Sequence, residues 1–246
     1  MAPAVTPIPR LFSLNPVGAD KLPAEDDLIN AAEALLTSTR SWTKGKTYNK
    51  VEIYKRPKGG SADAWFCRVS RHRKEEASFD RLWKMLGKNR MEKEKEYIPE
   101  MTKVTLIKQV SDTQSIWSAY YALPPPLSPR IFTAYQVFRL VQYPQHQRRA
   151  VMVSIPVDLS SSEDKGLKEL EERGTRGKYV CVEEILELEG GNVVEWRMAT
   201  CGTPGGMIPK FLVNKQMPAK IAEDVPHLLA WLQSSRSSKS QAADEE

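Results

Sequence analysis

The pattern of apolar and polar positions separates a long strand-rich part of the chain from one amphipathic C-terminal segment. In that segment, Thr200–Gln233, apolar residues recur at steps of three, four and six, which is typical of one face of a helix. A glycine-rich turn, Gly202–Gly206, precedes the helical pattern. A strand-rich chain that closes with such a helix needs a surface for the helix to cover. The apolar positions are Phe211, Met217, Ile221, Val225, Leu228 and Leu232.

Before this segment, the pattern predicts two helices and a series of strands. One helix has Asp20 as its N-cap and an apolar face from Leu28 to Leu36; the other, Phe79–Leu86, is capped by Ser78. Because the strands follow one another and a helix closes the chain, we expect an α+β fold, a curved antiparallel sheet wrapped around the C-terminal helix. The predicted strands are Thr47–Arg56, Ala64–His72, Lys103–Val110, Ser115–Leu123, Phe132–Gln142, Arg148–Val157, Tyr179–Leu188 and Val193–Cys201.

The chain has 246 residues, of which 41% are hydrophobic, and no flexible linker divides its strand-rich part. We therefore expect one domain over residues 23–234, preceded by an extended segment (1–22) and followed by a disordered tail (235–246). Proline cannot donate a backbone hydrogen bond, so Pro218 and Pro226 should bend or interrupt the last helix.

The three cysteines, Cys67, Cys181 and Cys201, show no metal-ligand spacing and cannot all pair with one another. The N-terminus resembles no good targeting peptide, and no apolar run is long enough to span a membrane. These observations predict a reducing, cytoplasmic setting without a bound metal or other cofactor.

Positive charge is concentrated in one segment, Arg71–Lys95, where nine Lys/Arg residues stand against five acids, while the whole chain has a net charge of +5. This segment could make transient contact with an anionic membrane. A solvated helical face with internal ion pairs explains it equally well. No pattern of a nucleic-acid-binding module occurs in the chain, so we expect no nucleic acid partner.

Four motifs in the predicted order resemble those of the START (StAR-related lipid-transfer) domain family. Pro126-Leu-Ser-Pro-Arg130 followed by Ile131-Phe132 is similar to the family's PLSxRDF segment, and Arg149–Asp158 to the strand that follows it. Lys178-Tyr-Val with Glu183 is similar to the next strand, and Gly205–Asn214 to the GGxxPxxLvN start of the last helix. The likeness covers Ala24–Leu232 and is strongest to stand-alone START-like proteins common in fungi.

The resemblance implies a helix-grip fold with an internal hydrophobic cavity under the last helix, and binding or transfer of a sterol, phospholipid or other lipid in it. Two positions depart from the family pattern. Ile131 replaces the usual Asp and Cys181 a frequent Arg. A ligand contact made by those charges in relatives is therefore not expected here.

Residues that share a face of a predicted strand, together with apolar residues of the last helix, are the candidate ligand contacts. Each of them is explained equally well as ordinary core. A buried charge must be paired or used, and surface exposure is the alternative for each charged residue of the sheet. The charged side chains that could point inward are Arg68, Arg130, Glu183 and Glu184. The candidate set is Arg68, Trp117, Tyr121, Arg130, Met152, Ser154, Trp196, Met198, Met207, Ile221 and Leu228.

Catalytic patterns are sparse. The three histidines, His72, His146 and His227, lie near no recognisable nucleophile, and the usual hydrolase, metalloprotease and phosphate-binding motifs are missing. A binding or transfer protein is therefore the first hypothesis, with no catalytic residue assigned. The alternative is a START-like enzyme, a cyclase or similar, acting on a hydrophobic intermediate. It requires at least two titratable side chains that converge inside the cavity.

Overall fold

A computed structural model describes residues 6–57, 63–142 and 147–244. Its centre is one sheet with the strand order β2-β3-β4-β11-β10-β8-β7-β6-β5, all neighbours being antiparallel. Two short strands add to it, β1 beside β8 and β9 beside β7, both parallel. The strands are β1 Val17–Gly18, β2 Thr43–Tyr48, β3 Val51–Lys55, β4 Phe66–Arg73, β5 Met101–Gln109, β6 Gln114–Tyr121, β7 Arg130–Gln142, β8 Arg148–Asp158, β9 Thr175–Arg176, β10 Lys178–Leu188 and β11 Val193–Thr203.

Five α-helices accompany the sheet within the described residues: α1 Glu25–Ser38, α2 Phe79–Leu86, α3 Arg90–Tyr97, α4 Lys165–Lys168 and α5 Lys210–Asp244. Side chains alternate between the two faces of a strand, so the long strands, which are buried along most of their length, serve two separate cores. The first core lies under α1 and the N-terminal segment, where Phe12 is buried. The second lies under α2, α3 and α5 on the opposite face, called the inner face below.

The inner face is covered mainly by the second half of α5. Ile221, Val225, Leu228 and Leu232 are buried there and form one apolar cluster with β3, β4, β8, β10 and β11. Helix α2 joins the same cluster through Phe79 and its neighbours. Its cap is the predicted one, since Ser78 Oγ accepts a hydrogen bond from the Arg81 backbone N–H at 3.4 Å.

Three local predictions differ from the structure. The stretch 47–56 is not one strand but parts of β2 and β3 joined at Asn49 and Lys50, whose φ values of 47° and 68° make a tight turn. The charged stretch after Gly87, for which no helix was predicted, contains helix α3. Helix α1 has Ala24 at its N-cap without a side-chain cap bond, rather than Asp20.

The last helix also differs from the expectation of a bent or broken segment. It is assigned as one helix through Pro218 and Pro226 and continues to Asp244, although the tail was expected to begin at residue 235. Each proline removes one backbone hydrogen bond, so the carbonyl groups of Asn214 and Ala222 lose their usual partner in the helix. No helix among the described residues is both long and apolar enough to cross a membrane.

Candidate ligand-binding site

The strand register places most of the predicted ligand contacts side by side on the inner face. Directly opposed residues lie on the same face of a sheet. Arg68 on β4 is opposite Met198 on β11, which is opposite Glu183 on β10, which is opposite Met152 on β8. Ser154, two residues along β8, faces the same side. Five neighbouring strands therefore present one continuous row that ends at Phe138 of β7.

A buried network of charges crosses this row. Glu183 accepts hydrogen bonds from Arg90 Nη2 at 2.8 Å and from Trp196 Nε1 at 2.9 Å, and its Oε2 lies 3.9 Å from Arg68 Nη2. Arg90 also pairs with Glu94, one turn further along α3. Burial raises the pKa of Glu183, but the attraction of Arg90 and Arg68 outweighs it and lowers that pKa to about 2. The network ties the sheet to α3.

Arg68 is the least satisfied member of this network. Its side chain is 1% exposed and its guanidinium lies over the Trp196 ring, 3.8 Å from the ring centroid. Its Nε and Nη1 atoms have no hydrogen-bond partner among the described residues. A buried donor without an acceptor is costly, so this position is suited to a polar group of a bound molecule.

Helix α5 contributes one acid to the same region. Asp224 is half-buried and has no hydrogen bond or ion pair with another described residue. Burial, together with the negative charges of Glu94 and Glu183, raises its pKa to about 7, despite the opposing effect of Arg68 and Arg90. The carboxyl group of Asp224 therefore changes charge near neutral pH, beside the unsatisfied guanidinium.

The first three turns of α5 cover the sheet less completely than the rest of the helix. Val213 and Met217 continue the buried stripe of Ile221 and Val225 at four-residue steps, yet both are only half-buried. Three half-buried aromatic rings of the sheet, Tyr121, Phe132 and Tyr179, form edge-to-face pairs with centroid distances of 5.5 and 5.8 Å. Burial raises the pKa of Tyr121, and the negative charges of Glu94 on α3 and Asp224 on α5 raise it further.

A small cleft opens on the inner face, at the connection between α2 and α3. It has about 10 Å³ of free volume, enough for about one water molecule. A lipid-sized molecule does not fit into this cleft. The cleft is lined by Gly87, Asn89, Arg90, Ser115, Trp117, Gln136, Val137, Phe138, Met152 and Val153.

The predicted residues divide into three groups. Arg68, Met152, Ser154, Trp196 and Met198 lie together on the inner face under α5, where Ile221 and Leu228 pack. Trp117 and Tyr121 lie on the same face further along, beside α3.

The remaining two lie at the start of α5. Arg130 is buried there, donates to the carbonyl oxygens of Ser128 and Pro129, and has an unpartnered Nε among the described residues. Met207 is 99% exposed and lines no interior space.

One residue predicted to point inward does not, and three charged residues of the inner face were not predicted. Glu184 points to the opposite face, where it pairs with Arg149, because it neighbours the inward Glu183 on a strand. Arg90, Glu94 and Asp224 were not predicted as site residues. Asp224 carried a signal, since it is an acid three residues after Ile221 and four before Leu228 on an apolar stripe. Arg90 and Glu94 belong to a highly charged helix and carried none.

Comparison with solved structures identifies the architecture. Human STARD10 aligns with a TM-score of 0.70 at 12% identity, over 92% of this chain and 86% of that chain. Human StAR-related lipid transfer protein 5 gives 0.59 at 14% identity, over 87% and 100%. A STAR-related lipid transfer protein fragment from Xanthomonas axonopodis gives 0.57 at 18% identity, over 78% and 98%. No curated protein sequence matches the chain.

The fold is that of the START domains, a curved antiparallel sheet that grips a C-terminal helix, which confirms the prediction made from the four motifs. At these identities the likeness establishes the fold alone. The chain belongs to the family described as a protein of unknown function, DUF3074, whose model matches residues 65–232.

Proposed function

We propose that this protein binds a hydrophobic small molecule with a polar group, a sterol, phospholipid or other lipid, between the inner face and α5, and transfers it between membranes. The single observation that carries the proposal is Arg68, a buried cation whose Nε and Nη1 lack acceptors. Apolar burial along Trp196, Met198 and Met152 would supply most of the affinity, at roughly 25 cal/mol per Å². The names of the lipid-transfer proteins that share the fold support this class of ligand.

Native mass spectrometry of the full chain tests the proposal, after incubation with vesicles containing cholesterol, phosphatidylcholine and phosphatidylinositol. We expect one lipid to remain bound per chain. Arg68→Met should weaken its binding by about tenfold or more, because a hydrogen bond to a charged group contributes roughly 1.5–3 kcal/mol. Arg71→Met is the matched control, since Arg71 lies on the same strand but is exposed and pairs with Glu195. Absence of any bound lipid, or equal loss in both variants, would rule the proposal out.

We propose a cytoplasmic setting, because all three cysteines are buried free thiols, as is usual in reducing compartments. We also propose the basic segment Arg71–Lys95 as an electrostatic contact with anionic membranes. Several of its bases are engaged within the protein: Arg71 and Arg90 form ion pairs, and Arg81 and Lys93 donate to backbone carbonyls. Lys88 forms a long ion pair of 3.8 Å with Asp112, so the contact would rest on the four remaining exposed bases, Arg73, Lys74, Lys84 and Lys95.

Catalysis, as a START-like cyclase or similar enzyme, is the second candidate function. It is favoured by one observation, the convergence of Glu94, Glu183 and Asp224 on the inner face, with the pKa of Asp224 at about 7. A carboxyl group that titrates near neutral pH suits general acid–base chemistry. An enzyme would convert the lipid that it retains, and a cyclisation can leave the mass unchanged. An unchanged mass together with an unchanged chromatographic retention time of the extracted lipid after prolonged incubation would therefore exclude this alternative for that lipid.

A further inference from the structure

A serine, a histidine and a glutamate form a hydrogen-bonded chain at the end of β4. His72 Nε2 lies 2.9 Å from Ser70 Oγ, and His72 Nδ1 lies 3.3 Å from Glu76 Oε2. No histidine was expected near a recognisable nucleophile, but alternate residues of a strand share a face, which places Ser70 beside His72. A nucleophile, a base and an orienting acid in this order make up the triad of serine hydrolases.

The two hydrogen bonds define the role of each side chain. A carboxylate only accepts hydrogen bonds, so Nδ1 is the nitrogen of His72 that donates, to Glu76. Burial lowers the pKa of His72 below its ordinary value of 6.5; Glu76 opposes this effect, and the positive charge of Arg68 adds to it. The ring is therefore neutral at pH 7, and its Nε2 accepts the hydrogen bond of the Ser70 hydroxyl group. This is the state that a general base needs.

The backbone around Glu76 holds the acid in place. The N–H groups of Glu76 and Ala77 donate to the Arg73 carbonyl oxygen at 2.9 and 3.0 Å, which closes a turn between β4 and α2. The carbonyl oxygen of Glu76 accepts a hydrogen bond from Arg81 Nη1 at 3.3 Å. The side chain of Glu76 is 41% exposed, whereas that of His72 is buried. The triad therefore runs from the surface into the inner face.

Arg68 supplies the donors that an ester carbonyl group needs beside Ser70. Trp196 lies directly opposite Ser70 on β11, and the guanidinium of Arg68 lies over the Trp196 ring. Opposed residues of two strands have Cβ atoms about 5 Å apart, so the guanidinium and Ser70 flank the same small region. Nε and Nη1 of Arg68 have no hydrogen-bond partner within the described ranges. Such donors stabilise the negative charge that develops on a carbonyl oxygen under attack.

We propose that Ser70, His72 and Glu76 cleave a fatty acyl ester on the inner face. Ser70 Oγ bonds to the acyl carbon while its proton passes to His72 Nε2, and the alcohol leaves with that proton. Water then attacks the acyl group, its proton passes to His72 and on to Ser70 Oγ, and the fatty acid is released. Trp196 and Met198 belong to the apolar cluster that would surround the acyl chain.

The proposal rests on the proposed function, because lipid binding between the inner face and α5 would bring the ester to the buried Ser70. It adds a substrate class and a covalent reaction that binding and transfer do not require. It also differs from the cyclase alternative, which would use the acids Glu94, Glu183 and Asp224.

A hexyl fluorophosphonate tests the nucleophile in the full chain, because a reactive serine oxygen bonds to its phosphorus with loss of fluoride. We expect one adduct per chain, located on Ser70 by tandem mass spectrometry of peptides. Ser115 is the internal control, since this buried serine on the face of Trp117 accepts a hydrogen bond from that ring and should remain unlabelled. His72→Gln should slow the labelling by about a hundredfold or more, because the general base is lost.

The pH dependence of labelling distinguishes a catalytic histidine from a structural one. A protonated imidazole cannot accept the serine proton, so the rate should fall as the pH decreases through the lowered pKa of His72. Glu76 and Arg68 are the charged groups that act on His72. Glu76→Gln removes the charge that raises this pKa, so the midpoint of the rate profile should move to lower pH. An unchanged midpoint would contradict the role of Glu76.

Hydrolysis of p-nitrophenyl octanoate measures turnover. Ser70→Ala should reduce the rate by about tenfold or more, while Ser115→Ala should change it by no more than about twofold. No adduct on Ser70, labelling of His72→Gln at the parent rate, or equal turnover by Ser70→Ala would each overturn the proposal. Adduct mapping uses the parent protein, so a variant that fails to fold does not remove the test.

Native mass spectrometry separates this proposal from the proposed function. A retained lipid in a chain whose Ser70 is unreactive would overturn ester cleavage and leave ligand binding standing. A reactive Ser70 in a chain that retains no lipid would instead refute ligand binding alone, because the short probe reaches the serine by itself.

Discussion

Asp224 is placed where its charge costs the most. It lies on the inner side of α5 near Arg68 of the sheet and Arg90 of α3, but Glu94 and Glu183 compete for both cations. An ordinary aspartate has a pKa of 3.8, and here the pKa is about 7. The folded protein therefore holds a proton on Asp224 that the unfolded chain releases between these two values. This part of the stability is present at low pH and is lost as the pH rises through 7.

The substitution Asp224→Asn should reveal this loss. An amide cannot ionise, so the free energy of unfolding of the variant relative to the parent protein should increase between pH 5.5 and pH 8.5, over the part of the range between the two pKa values that lies above pH 5.5. The gain should be on the order of 1–2 kcal/mol. Urea denaturation at the two pH values measures it.

Glu223→Gln is the matched control for this experiment. Glu223 neighbours Asp224 in sequence, but it is exposed and pairs with Lys220 at 2.9 Å. Its substitution should change stability little at either pH, since exposed ion pairs contribute less than about 1 kcal/mol. If the difference in stability between Asp224→Asn and the parent protein is the same at pH 8.5 as at pH 5.5, the raised pKa of Asp224 is contradicted.

Helix α5 combines two halves with different roles. From Ile221 to Leu232 it packs directly against the sheet and α2, and Arg81 fixes its second half by donating to the Leu232 carbonyl oxygen. From Lys210 to Lys220 it buries no residue fully. Pro218 lies at the junction and removes the hydrogen bond to the Asn214 carbonyl. The first half is therefore the part of the helix that can move at least cost.

Alanine substitutions should distinguish the two halves. Leu228→Ala removes a fully buried side chain and should lower the free energy of unfolding by about 2–5 kcal/mol. Val213 lies in the same apolar stripe but is half-buried, so Val213→Ala should lower the free energy of unfolding by less than about 1 kcal/mol. Chemical denaturation of both variants checks the contrast, and a large cost at Val213 would show that the first half is packed like the second.

The helices and strands were predicted well from the sequence where a local signal was strong. Ser78 before an apolar period of helical spacing predicted both ends of α2, and the predicted strands Tyr179–Leu188 and Val193–Cys201 correspond to the paired β10 and β11. The turn at Asn49 and Lys50 was missed because it contains no glycine, although both residues have positive φ. Helix α3 was missed because its apolar residues, Met91 and Tyr97, are too few to show a period.

The part of the site that could be predicted follows from the alternation of side chains between the two faces of each strand. Alternation correctly grouped Trp196 with Met198, and Met152 with Ser154, because neighbouring inward positions of a strand differ by two. It cannot tell which face is inward for charged residues, so Glu183 and Glu184 were equivalent until the register was known. The partners of Arg68 come from α3 and β10, which are distant in sequence, and only the tertiary structure brings them together.

At the scale of the whole molecule, the two faces of the sheet carry two cores, and the helices cover one of them more completely than the other. The core under α1 is mainly apolar, with the Arg197–Glu195 ion pair buried on the same face, and it includes the N-terminal segment, whose Val17 and Gly18 pair with the end of β8. The core under α5 is crossed by charges and is incompletely covered at one end. Flexibility should therefore concentrate on the inner side, where few buried contacts hold the first half of α5.

Hydrogen exchange should show this asymmetry across the molecule. Backbone amides of residues 210–220 should exchange faster than those of residues 221–232 in the ligand-free protein, and binding of a lipid should slow the first group most. Amides of α1 should remain unchanged, because α1 lies on the other side of the sheet. Mass spectrometry of peptides after timed labelling measures the three segments together. Equal protection along α5 in the absence of lipid would argue against a mobile first half.

The burial of the cysteines has a practical consequence for following such a movement. Cys67, Cys181 and Cys201 are all buried, and burial raises the pKa of each thiol, to about 11 for Cys67. A thiol of this kind reacts slowly with electrophiles at neutral pH, because the thiolate is the reactive form. A cysteine introduced in place of Met207 would therefore accept a maleimide dye almost alone. The protein is thus suited to single-site fluorescence labelling just before α5 without removal of its own cysteines.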